Sequence, residues 1–197
     1  MMKDEILSTA QRLMKQGGYE ALNFGVIAEQ LSVTRANIHY HFGNKDSLAE
    51  AATAAYIEDW HQKLEQLATQ CSGDFVGFMT ALDDELVREL EASEGTCSSI
   101  CSQLLKNRAS LPPALGEMVD RHHAHVLDFL ERLITSARQR GQRLAPELAA
   151  RQLAREAMAV FFGALSLATA LRDTGRKSSP AKGVIRTWAE RLGNARD

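Results

Sequence analysis

The chain has 197 residues, 45% of them hydrophobic, and a formal net charge of −2. That length and composition supply a proper core, for one large domain or a small one joined to a larger one. They exclude a uniformly basic nucleic-acid-binding protein. Four prolines and no alternating runs of Val, Ile and Thr predict an all-α fold of about nine helices. The charged, amphipathic start, MMKDEILSTA, does not read as a signal peptide. The most apolar stretch, 157–171, falls short of the roughly 20 residues that span a bilayer. Cys71, Cys97 and Cys101 in such a chain suggest free thiols and a cytoplasmic setting.

In chain order, Ile6, Leu7, Ala10, Leu13 and Met14 form a helical stripe over 3–16, ended by Gly17 and Gly18. Asn23 is placed to cap a short helix through Leu31, and Thr34 to cap another from Arg35 to His41. Gly43 and Asn44 break that helix, and a long one runs from about Lys45 to Ala68. Ser72-Gly73-Asp74 is a turn before a helix from Phe75 to Leu90. A short helix is expected from Cys97 to Lys106. Pro112 and Pro113 start a long helix to Arg140, and Pro146 starts another to Arg172. A polar linker precedes a last helix, from Pro180 to Leu192. Charge is uneven: ten acidic residues lie between Glu58 and Glu94 against Lys63 and Arg88, while the C-terminal part is basic. The basic C-terminal region reads as a solvated helical surface.

Two short helices joined by so tight a turn suit a helix-turn-helix, whose second helix enters the DNA major groove. Arg35 and Asn37 lie early on that second helix, where arginine suits guanine and asparagine suits adenine. They are the expected base contacts. Asn23, Thr34, His39, Tyr40 and Lys45 are the expected phosphate contacts, which position without reading sequence. Ile38 and Phe42 should point inward, with His41 packing beside them.

The run LNFGVIAEQLSVTRANIHYHFGNKDSLAEA resembles the N-terminal region of the TetR/AcrR family of transcriptional regulators. The matching elements are Ile27-Ala28, Ser32-Val33-Thr34, Ile38-His39-Tyr40-His41-Phe42 and Lys45-Asp46-Ser47-Leu48, about a quarter of the chain. Three positions depart from the family's usual pattern. Asn23 replaces a capping threonine, Ser32 a turn glycine and His39 a phosphate-contacting tyrosine. Gly25 stands where some relatives carry a long base-contacting side chain.

The resemblance implies a DNA-binding domain over 1–46 and an effector-binding and dimerisation domain over 47–197. It implies a ligand-responsive repressor that binds a palindromic operator as a homodimer. An apolar helix and a two-fold reading head also favour a homodimer. Its expected interface is Met158, Phe161, Phe162, Leu165, Leu171, Val184 and Trp188. The effector pocket is expected among Phe75, Phe78, Met79, Cys97, Cys101, His122, His125, Phe129 and Phe161. An alternative is a repressor sensing oxidants or electrophiles through Cys97 and Cys101, with Lys106 folding back to lower a thiol pKa. A second is a helical interaction protein with weakened DNA binding. No nucleophile motif supports an enzyme, and no catalytic residue, cofactor, metal or membrane partner is expected.

Overall fold

The first apolar stripe forms α1, Met2–Gly17, with Asp4 and Glu5 in its first turn and Lys15 in its last. That charge order complements the helix dipole. A 3₁₀ turn at Tyr19–Ala21 leads to α2 (Phe24–Leu31), α3 (Arg35–Phe42) and the long α4 (Lys45–Gln70). Then come α5 (Phe75–Ala92), α6 (Ile100–Lys106), a 3₁₀ turn at Arg108–Ser110, α7 (Pro113–Gln139), α8 (Ala150–Leu171) and α9 (Val184–Gly193). The computed structural model describes residues 2–92, 99–171 and 182–193. Among the described residues there are nine α-helices and no strand, which meets the all-α expectation. Cys97, Arg172 and Pro180 lie outside them.

The chain forms two compact units, Met1–Trp60 with Ser98–His122, and His61–Cys97 with His123–Asp197. In the first unit α1 to α3 and the start of α4 share one core with α6 and the start of α7. It contains Ile6, Met14, Leu22, Ile27, Ile38, Leu48, Ile100, Leu104 and Leu115. Gln103 Nε2 donates to the Lys15 carbonyl at 3.3 Å, and Gln11 Nε2 to that of Ala52 at 3.1 Å. Arg108 grips Asp120 with two nitrogens, at 2.6–3.2 Å.

In the second unit the buried Asp83 of α5 receives the Gly183 amide at 3.0 Å and the Ile185 amide at 3.2 Å. A carboxylate therefore sits at the N-terminal end of α9, where unpaired amides favour negative charge. Buried Glu85 is held by Lys63 and Arg88. Arg151 of α8 bridges Asp128 and Glu131 of α7.

Helix α8 does not start at Pro146. The backbone turns at Ala145, with φ of 42°, and the helix begins at Ala150. Arg138 fixes this turn by donating to the Leu144 and Ala145 carbonyls at 2.6–3.1 Å. At 22 residues α8 is long and apolar enough to cross a membrane by length and composition. One stripe, Leu153, Ala154, Ala157, Ala164, Leu165 and Ala168, is buried within its own unit.

Candidate nucleic-acid interface

Two caps build the reading head. Asn23 Oδ1 accepts from the amides of Gly25 at 2.7 Å and Val26 at 3.4 Å, which starts α2. Thr34 Oγ1 accepts from the Asn37 amide at 3.2 Å, which starts α3. Each cap uses an acceptor oxygen and leaves a donor on the same side chain, the Asn23 carboxamide N–H₂ and the Thr34 hydroxyl hydrogen. Both residues are exposed, as a phosphate contact requires.

Between the helices Ser32 adopts the left-handed conformation, φ 54° and ψ 41°, and its amide closes α2 on the Ala28 and Glu29 carbonyls. Glycine takes this conformation without steric cost, whereas serine does not. Ser32→Gly is therefore expected to raise stability by about 0.5–1 kcal/mol, offset in part by the freer unfolded chain. A urea unfolding midpoint that falls in this variant would contradict that reading of the turn.

Ile38 and Phe42 are buried, so the opposite side of α3 faces outward. Arg35 and His39 are exposed there, and Tyr40 is 85% exposed. His41 is half-buried, 6.4 Å from the Phe42 ring centroid. Asn37 is half-buried, with its Oδ1 enclosed and unpartnered. A bidentate contact to adenine needs both carboxamide atoms, so Asn37 has to turn to read a base. Leaving a buried acceptor unpaired costs about 1–3 kcal/mol, which favours the turn once a base is available.

His39 lies edge-on to Phe24 at 4.7 Å, tying α3 to α2. Its Nδ1 is 2.7 Å from the Gly43 carbonyl oxygen. A carbonyl only accepts, so Nδ1 is the donor in this contact, and Nε2 is the ring nitrogen left to face outward.

Lys45 sits 4.2 Å over the Tyr19 ring, with its Nζ 3.6 Å from Glu20 Oε2. The Tyr19 hydroxyl donates to the Asp46 carboxylate, and its pKa is pushed up to about 12, first by burial and then by that carboxylate. Lys45 is thus positioned by a turn that helical periodicity does not reveal. Its contact with Glu20 is a surface pair of the kind worth about 0–1 kcal/mol, which a phosphate can displace. Asn44, whose Oδ1 accepts from the Ser47 amide at 2.8 Å, caps α4.

The residues expected around an effector are placed in both units. In the second, Phe75, Phe78, Met79 and Phe129 are buried. Phe78 meets Phe129 at 5.8 Å, Phe75 meets Trp188 at 6.3 Å, and half-buried Phe161 meets Phe162 at 6.1 Å. His125 stacks on His61 at 4.0 Å. An open groove of about 510 Å³ lies elsewhere, along Asp128, Glu131, Arg132, Thr135, Ser136 and Gln139. His122 is buried in the first unit.

Cys101, also in the first unit, is 1% exposed, and burial pushes its thiol up to about 12. It is therefore protonated and unreactive at neutral pH. Lys106 does not fold back onto it. Its Nζ bonds Gln103 Oε1 at 3.1 Å on the surface. Cys97 is outside the described residues. Among the described residues no group of three His, Cys, Asp or Glu side chains could hold a metal ion.

Of the expected dimer residues, Leu165 is buried in its own protomer and Trp188 is half-buried against Phe75. Met158, Phe161, Phe162 and Val184 are half-buried, and Leu171 is exposed beside Leu167, which sequence reasoning did not single out.

Two capped helices, a buried Ile38–Phe42 face and an exposed Arg35–Tyr40 face define a helix-turn-helix of the DNA-reading type. Residues 6–52 match the family model of the bacterial regulatory proteins, tetR family. The N-terminal segment belongs to that family, and the whole chain carries the fold of TetR-family transcriptional regulators. It superimposes on a TetR-family transcriptional regulator from Agrobacterium tumefaciens with a TM-score of 0.86 and 24% identity, covering 97% of each chain. A TetR transcriptional regulator from Legionella pneumophila gives a TM-score of 0.81 and 20% identity, over 97% of this chain and 96% of that one. The reduced form of NemR from E. coli gives 0.81 and 16%, over 98% and 97%. No curated protein sequence matches the chain.

Proposed function

We propose that this chain is a homodimeric transcriptional repressor that binds a palindromic operator in double-stranded DNA and is released by a small organic effector. The observation that carries the reading is α3, anchored inward by Ile38 and Phe42 and presenting Arg35, His39 and Tyr40 outward, with half-buried Asn37 beside them. Arg35 and Asn37 read bases. Asn23, Thr34, His39, Tyr40 and Lys45 hold phosphates. Residues 1–46 carry DNA binding, and 47–197 carry effector binding and dimerisation. The exposed side of α8, with Phe162, Leu167 and Leu171, pairs with a second copy, supported by its apolar character beside the already buried inner stripe. The effector lies among Phe75, Phe78, Met79, His125, Phe129 and Phe161. It acts by binding the released conformation more tightly than the bound one. Such a protein works in the cytoplasm, where its operator is.

Selection of bound sequences from random duplexes tests this directly. The expected product is an inverted repeat with half-site centres about 34–36 Å apart, one turn of DNA, bound with affinity that falls steeply with salt. Recovery of unenriched sequence would leave a helical interaction protein as the better reading.

A further inference from the structure

Gly25 is the second residue of α2, and its φ lies outside the left-handed region, so the backbone there does not require glycine. Space does. A methyl group at Gly25 would stand 2.6 Å from Arg35 Nη2, 3.1 Å from Arg35 Cζ and 3.0 Å from Asn23 Oδ1. The guanidinium of α3 thus lies across the first turn of α2, in the volume that a side chain at position 25 would take. Beside this seat the Phe24 and His39 rings couple the same two helices. Glycine weakens a helix relative to alanine, so its presence here needs a reason in packing or function.

We infer that Gly25 is a specificity-determining residue: its bare Cα seats the Arg35 guanidinium across both helices, fixing the fork that contacts guanine. Arg35 then serves the share of the reading surface that α2 leaves empty. Arginine matches guanine O6 and N7 only with its fork in one plane, and the seat sets that plane. This inference rests on the DNA-reading role proposed above.

Binding-site selection with the full-length protein, followed by titration of the selected duplex and its single-base variants, tests it. Wild type should show a guanine preference in each half-site that Arg35→Ala abolishes. Gly25→Ala should lose the same preference, by a factor on the order of ten or more in discrimination. Its melting temperature should change little, because alanine favours the helix and the closest contact falls on the far end of a flexible side chain, while the Asn23 Oδ1 at 3.0 Å has to give only slightly. The double variant should lose no more than either single one, since both act through one contact. Gly25→Ser places the same steric group with a different helix preference and should show the same loss. Retention of wild-type discrimination by a folded Gly25→Ala or Gly25→Ser protein overturns the inference and leaves the DNA-reading role standing. Retention of the guanine preference by Arg35→Ala overturns it as well. A wild-type protein that enriches no sequence removes both.

Discussion

Replacing Arg35 and Asn37 together with alanine is expected to erase sequence preference while leaving non-specific DNA binding nearly intact. A good bidentate contact contributes about 1–3 kcal/mol of discrimination, so the pair accounts for roughly 30-fold to 10⁴-fold between operator and unrelated DNA. Arg35 is exposed and Asn37 half-buried, and neither belongs to the buried Ile38–Phe42 anchor of α3. Alanine is also the best helix former, so the fold should not suffer. Removing Asn37 eliminates an enclosed acceptor that has no partner, which is neutral or slightly favourable for stability. Fluorescence anisotropy on operator and scrambled duplexes, at one fixed salt concentration, gives the answer. Equal losses on both duplexes would mean that these residues hold phosphates and that bases are read from elsewhere.

The largest stability effect is expected at Asp83. Its carboxylate is 1% exposed and accepts the Gly183 and Ile185 amides. Asp83→Ala leaves those amides unpartnered at the start of α9, whose Ile185 and Ala189 are buried. Hydrogen bonds to a charged acceptor are worth about 1.5–3 kcal/mol each, and the loss of a helix cap typically costs about 1 kcal/mol. A destabilisation of about 2–4 kcal/mol follows, or a drop of roughly 5–15 °C in Tm for a chain of this size. The neighbouring exposed pair Arg186–Asp84 should contribute little by comparison. Thermal unfolding measures the first effect, and faster amide exchange across 184–189 locates it. An unchanged Tm would mean that α9 is held by Trp188 and Ile185 alone.

The caps of the reading head were legible because they are local. Asn23 and Thr34 act within three residues of themselves, and the buried Ile38 and Phe42 repeat at helical spacing. The start of α8 was not legible. Pro146 is a sound first-turn residue, but Arg138 reaches the two carbonyls before it and holds a turn there instead. The seat of Arg35 was hidden for a related reason. A missing side chain at Gly25 becomes informative only when a second helix crosses close to it. The inertness of Cys101 depends on what encloses it, which the spacing of two cysteines does not convey. The 3₁₀ turn that positions Lys45 is too short to carry a periodic signal.

The bond between His39 Nδ1 and the Gly43 carbonyl oxygen closes the end of α3 a second time, because the Gly43 amide already returns to the His39 carbonyl at 2.8 Å. The ring is thus held by Gly43 at one edge and by Phe24 on the neighbouring helix. A change at residue 39 would therefore loosen the last turn of α3 and its angle against α2 together, so this exposed position is also a structural joint.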